Sequence, residues 1–146
     1  MNGNVIENLL YGLSCFKGVY ACNELPDEPF ASPFAVVVNT DPIEEAGEHW
    51  VALISKRSDT VQYFDSYGHI PINPEIYRFM LNFKHKEVCD FHFQSYLPTS
   101  DVCGFFVVLF IKCRCIGMST IDFKTNFTDC PILNDLLVQI YTAATL

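Results

Sequence analysis

The chain carries 146 residues, half of them hydrophobic and 14% aromatic, with a formal charge of −8 from 17 acidic and 9 basic side chains. That length suits one domain over residues 1–146, able to bury about two-thirds of the surface its unfolded chain exposes, and the apolar content excludes a disordered chain. A chain this acidic repels phosphate backbones, so nucleic acid is not an expected partner, and the basic residues from Lys84 to Lys86 read as a solvated loop.

Taken in order, Val5 to Leu13 sets Ile6, Leu9, Leu10 and Leu13 at helical spacing. Phe16 to Ala21 reads as extended, and Asn23 to Pro33, with three prolines, as a loop. Phe34 to Asn39 is a β-branched run that suits a buried strand, followed by an acidic loop, Thr40 to Glu48. His49 to Ile54 and Thr60 to Asp65 read as two strands of a hairpin joined by Ser55 to Asp59. Asn73-Pro74-Glu75 offers a cap, a first-turn proline and a first-turn acid, which predicts a helix to about Asn82. Val88 to Gln94 alternates like a strand, and Tyr96 to Val102 reads as a loop. The apolar run Val102 to Ile111 is too short to span a bilayer and predicts a buried helix from Cys103 to near Gly117. A last helix is expected from Asp129-Cys130-Pro131 to about Tyr141. The order argues for an α+β fold, soluble and without a membrane partner.

Seven cysteines form no regular framework, and Met1 to Glu7 lacks a basic region followed by an apolar run. The expectation is an intracellular protein with mostly reduced thiols. No CxxC occurs, and Cys113 and Cys115 point to different sides of a helix, so no metal site is expected.

Opposed residues of an antiparallel hairpin have positions with a constant sum. If the loop centres on Arg57 that sum is 114, which sets His49 opposite Asp65, Trp50 opposite Phe64, Val51 opposite Tyr63 and Leu53 opposite Val61. A carboxylate on the neighbouring strand would fix the tautomer of an imidazole and favour its charged form. His69 lies in a turn, His85 beside two lysines, and His92 has no evident acid partner.

A reactive cysteine needs its thiolate stabilised, and a helix N-terminus supplies unpaired amides for that. Cys103 sits at the expected start of the buried helix, with Gly104 leaving room for a substrate backbone beside the sulfur. Cys130 is the rival, but Asp129 disfavours a thiolate there and Pro131 removes an amide. Cys15, Cys22, Cys89, Cys113 and Cys115 read as small core hydrophobes.

Three segments, EHWVAL, YFDSYG and QSYLPTSDVCGFF, together resemble the adenovirus endopeptidases (adenain) and the related proteases of SUMO and ubiquitin-like proteins. The look is nearest to adenovirus-type proteases of DNA viruses and virus-like DNA transposons, in which a segment like LSCFKGVYACNELP precedes a strand ending as Asn39 to Asp41 does here. The resemblance implies a papain-like/adenain-type α+β fold, with a small mixed sheet against helices and the nucleophile at the start of a buried helix. It matches His49, Asp65 and Cys103 to the triad, and Gln94 to the glutamine that forms the oxyanion hole with the Cys103 amide. Gln94 precedes Cys103 by nine positions, about two more than in the family, which implies a longer loop at Leu97-Pro98. Adenovirus proteases use DNA and a disulfide-linked peptide as activators; neither is carried over to this chain, where Cys89 does not align with the linking cysteine. The expectation is therefore a cofactor-free, monomeric cysteine endopeptidase that processes viral precursor proteins during virion maturation. Its place would be the host nucleus or cytoplasm and the virion. Trp50 either lines the substrate groove or packs in the core. Two other functions fit the same residues: an isopeptidase acting on ubiquitin-like modifiers, and a non-enzymatic interaction protein.

Overall fold

Five strands form one mixed sheet in chain order, and two hydrophobic layers cover its faces. The computed structural model describes residues 1–45 and 49–146, so the last three residues of the expected acidic loop, 46–48, lie outside the described residues. The elements are α1 (Gly3–Leu10), β1 (Phe16–Ala21), a 3-10 turn (Cys22–Glu24), β2 (Phe34–Asn39), β3 (Trp50–Ser55), β4 (Thr60–Phe64), α2 (Pro74–Met80), β5 (His85–Cys89), α3 (Cys103–Cys115), α4 (Thr120–Lys124) and α5 (Pro131–Ala144). Strands β1 and β2 are parallel, β2–β3 and β3–β4 antiparallel, and β4–β5 parallel.

The central strands read as unbroken apolar runs because both faces of the sheet are buried. Along β2, Ala35 and Val37 pack into the layer that holds α3, while Phe34, Val36 and Val38 pack into the layer that holds α2. The same alternation sends Ala52 and Ile54 of β3 to α3, and Val51 and Leu53 to α2. Helix α3 is thereby enclosed on nearly every side: Phe106, Val107, Val108, Phe110 and Ile111 are all fully buried. Phe64, the last residue of β4, stacks on Phe110 of α3 with ring centroids 4.1 Å apart. That contact fixes the end of β4 against the helix that begins at Cys103.

Helix α1 starts earlier than its apolar spacing suggests, because Asn2 caps it through the Val5 amide, and it stops at Leu10 just before Gly12, which has a positive φ. Helix α2 begins as expected, with the Asn73 side chain accepting from the amides of Glu75 and Ile76. Strand β5 spans His85–Cys89 rather than Val88 to Gln94, because its partner β4 ends at Phe64, opposite Cys89. The alternation beyond Cys89 has another origin: Phe93 is fully buried and packs edge-on against Phe123 and Phe127. Helix α4 is a single short turn capped by Ser119, a length at which no hydrophobic period can be read.

The reading of Cys15 and Cys115 as small core hydrophobes is corrected. Cys15, just before β1, is disulfide-bonded to Cys115 at the end of α3, and Cys22, Cys89, Cys103, Cys113 and Cys130 are free. A separation of 100 residues hides this pairing from any local reading.

If the Phe64–Phe110 stack holds the two halves of the site together, Phe110→Ala should cost about 3–5 kcal/mol in urea unfolding. A loss under about 1 kcal/mol would show that the stack is not part of the core.

Candidate active site

His49 and Asp65 sit just outside the sheet, where β3 begins and β4 ends. The hairpin register differs from the expected one by two positions: Ala52 lies opposite Phe64, Leu53 opposite Tyr63 and Ile54 opposite Gln62, so opposed positions sum to 116. Side chains alternate with a period of two, so an even shift leaves both residues on a common face. His49 and Asp65 become diagonal neighbours, within reach of one another across the pair. His49 Nε2 lies 2.9 Å from Asp65 Oδ1.

Each partner is held by local structure. The His49 carbonyl accepts from the Thr40 amide at 2.9 Å, which ties the base of β3 to the end of β2. Asp65 is buried, and its Oδ1 also accepts from the Tyr67 amide at 2.8 Å. The turn beyond it closes by a bond from the Gly68 amide to the Asp65 carbonyl at 2.8 Å. Gly68 has φ +76°, and a Cβ there would lie 2.8 Å from the carbonyl oxygens of Asp90 and Phe91, so no other residue fits this turn. Tyr67 stacks on the His49 ring with centroids 5.0 Å apart, and sequence reading overlooked it. Its signal was present: two residues beyond an aspartate at a strand end, a side chain turns back toward that aspartate's partner.

Cys103 is the first residue of α3 and is buried. Its sulfur faces the His49 ring and the backbone amides of Trp50 and Gly104. Burial by itself would push the thiol up. The His49 hydrogen bond, the two amides and the charge of His49 outweigh burial and bring Cys103 below the ordinary thiol range. Burial would likewise depress His49, but its hydrogen bonds to Asp65 and Cys103 and their negative charges raise it to about 9. The two shifts favour the thiolate–imidazolium form of the pair over the neutral one, with Asp65 behind the ring. Such a constellation can attack an electrophilic carbonyl carbon and return a proton to the leaving group.

Gln94 is buried and bonded to Ser66, the residue after Asp65. Its backbone amide donates to the Ser66 carbonyl at 2.9 Å, its Oε1 accepts from the Ser66 hydroxyl at 2.6 Å, and its Nε2 donates to Ser100 Oγ at 3.0 Å. The second Nε2 hydrogen has no partner among the described residues. Trp50 does not oppose Phe64; its indole Nε1 donates to the Met1 carbonyl at 3.0 Å, and its ring lines a cleft of about 550 Å³ together with Asn39, Asp41 and Glu24. The space expected beside Gly104 is filled: a Cβ at that position would meet the Met1 Cβ at 2.9 Å. Cys130 is exposed at the cap of α5, and burial raises Cys89 and Cys113.

No family model matches the chain. It is 31% identical over 108 residues to the SUMO-1 cysteine protease of African swine fever virus from a Kenyan pig isolate, across 66% of this chain and 39% of the relative. The cysteine protease of a Malawian tick isolate of the same virus matches to the same extent. The chain thus spans about two-fifths of the length of the curated relatives it matches. The crystal structure of the African swine fever virus protease superposes with a TM-score of 0.51 at 24% identity, covering 72% of this chain and 42% of that one. The fold is shared. It is a papain-like/adenain-type α+β fold, with a mixed five-stranded sheet packed against helices.

The ionisation state is directly measurable. Iodoacetamide should alkylate Cys103 ahead of the other free thiols and at rates that persist well below pH 8. His49→Ala should move the midpoint of that pH profile upward, because burial then acts without its counterweight. An unmoved midpoint would show that His49 does not hold the thiolate.

Proposed function

We propose that the protein is a cysteine endopeptidase in which Cys103 is the nucleophile, His49 the general acid–base and Asp65 the group that orients it. The observation that carries this reading is the continuous contact from Asp65 through the His49 ring to the Cys103 sulfur at the start of a buried helix. The Cys103 sulfur attacks the scissile carbonyl to form a thioester. The imidazolium gives its proton to the departing amine, and the neutral ring then activates the water that releases the acid. The negative oxygen of each tetrahedral intermediate is stabilised by the Cys103 amide and by the free Nε2 hydrogen of Gln94. Trp50, next to His49 in the chain and lining that cleft, contacts the substrate chain, and Gly104 does so only once the Met1 side chain has moved aside.

The substrates are polypeptides, and precursor proteins of a virus or virus-like element fit the resemblance best, cleaved in the infected cell or in the virion during maturation. A second reading is favoured by the name of one relative, a SUMO-1 cysteine protease: hydrolysis at the C-terminus of a ubiquitin-like modifier by the same residues. A diverse peptide library, with Cys103→Ala as the blank, tests the activity, and a modifier conjugate assayed beside a viral precursor peptide separates the two readings. Cleavage that survives in Cys103→Ala overturns both.

The role of Asp65 has its own expected magnitude. Asp65→Asn in a serine triad costs about 10⁴-fold. Here the loss should be about 10- to 1000-fold in kcat, because the pKa of the Cys103 thiol is lowered by amides as well as by the ring. His49→Ala should lose more. An Asp65→Asn protein with unchanged kcat would remove Asp65 from the mechanism.

A further inference from the structure

We infer that Asp135, on the first turns of α5, is a positioning residue that fixes which way the Gln94 side-chain amide points. The inference rests on the protease reading above for its catalytic consequence and on a hydrogen-bond relay for its geometry. Asp135 Oδ2 accepts from Ser100 Oγ at 2.9 Å, and Ser100 Oγ in turn accepts from Gln94 Nε2 at 3.0 Å. At the far end of the amide, Ser66 Oγ donates to Gln94 Oε1 at 2.6 Å. Asp135 also accepts from Ser95, through the amide at 3.1 Å and the hydroxyl at 2.6 Å, so one carboxylate grips both ends of the segment between Gln94 and Ser100.

The chemistry of the relay gives the carboxylate a deciding part. A hydroxyl can donate or accept, and so both Ser66 and Ser100 tolerate either orientation of the Gln94 amide. A carboxylate can only accept. Asp135 therefore obliges Ser100 to give its hydrogen away and to offer a lone pair to Gln94, which only Nε2 can use. Ser66 is then left to donate to Oε1. Turned around, Gln94 would set Oε1 against an oxygen whose hydrogen is already committed, a contact without a proton between a buried acceptor and a half-buried one. The turned amide would also present a carbonyl oxygen where the oxyanion needs a donor. Neighbouring Asn134 keeps α5 in register with this segment: it is fully buried, and its Nδ2 donates to the Phe93 carbonyl at 3.1 Å.

The test is Asp135→Asn, which keeps the shape and the Oδ1 contact with the Ser95 amide but puts a donor where Oδ2 accepts from the Ser95 and Ser100 hydroxyls, so that both orientations of Gln94 become allowed. With a cleavable peptide, kcat should fall about 10- to 100-fold and KM should stay within about threefold, since a lost oxyanion donor costs about 100- to 1000-fold and the productive orientation is still sampled. The rate of Cys103 alkylation by iodoacetamide should not change, because that reaction needs no oxyanion donor. In a Gln94→Ala background, Asp135→Asn should cost less than about twofold more. Ser100→Ala breaks the same relay one bond earlier and should show the same non-additivity, which covers the case of Asp135→Asn failing to fold. Wild-type kcat in Asp135→Asn, or losses that multiply with Gln94→Ala, would overturn the proposal. If the wild-type protein cleaves nothing, the protease reading falls, and the relay is judged by NMR alone. The Gln94 side-chain N–H resonance bonded to Ser100 should move in Asp135→Asn; an unmoved resonance overturns the relay whatever the activity.

Discussion

A thiolate inside a protein is costly, and everything at this site depends on the imidazole that stands beside it. Cys103 is buried, which by itself would keep its proton on. The His49 ring, its pKa raised to about 9 by Asp65 and Cys103, reverses that balance together with the amides of Trp50 and Gly104. The three groups are mutually dependent in sign: two anions raise the cation, and the cation lowers one of the anions. Removing the middle group leaves a thiol in an apolar environment, and removing Asp65 leaves the ring free to turn or to lose its proton.

The scaffold meets this demand with its most rigid parts. Asp65 and His49 leave the sheet at adjacent strand ends, Cys103 opens a helix that the sheet encloses, and the Phe64–Phe110 stack joins the two one residue from Asp65. Tyr67 serves twice, its amide holding Asp65 and its ring lying against His49. That second contact depends on the tight turn at Gly68, where the chain passes so close to Asp90 and Phe91 that a side chain is excluded.

The parts of this arrangement legible in the sequence are those with a short-range period. The alternation of β2, β3 and β4, the cap of α2 at Asn73 and the start of α3 at Cys103 all follow from residues within a few positions. The His49–Asp65 pairing could be argued from a hairpin register wrong by two, because an even error preserves which residues share a face, whereas an error of one would have separated them. The unread parts are those set at a distance. Strand β5 ends where β4 runs out of partners, and the alternation of the next residues belongs to an aromatic cluster. The Cys15–Cys115 bond joins the ends of two elements that nothing in either local sequence relates. Asp135 lies 35 residues from Ser100, on a helix whose own pattern gives no reason to single it out.

Two carboxylates in this fold act through the same asymmetry. An imidazole and a primary amide each have two ends of similar shape and different hydrogen-bonding character, and packing alone distinguishes them poorly. A carboxylate resolves the ambiguity because it accepts and never donates while ionised. Asp65 demands an N–H at Nε2 of His49 and so leaves Nδ1 as the nitrogen free for another partner. Asp135, through the hydroxyl of Ser100, demands an N–H at the facing end of Gln94 and so leaves the second hydrogen of that nitrogen free. The first acts directly on the His49 ring and the second through one intervening hydroxyl. An error in either need not unfold the chain: each wrong orientation keeps the same volume in the same place and changes only where the protons are.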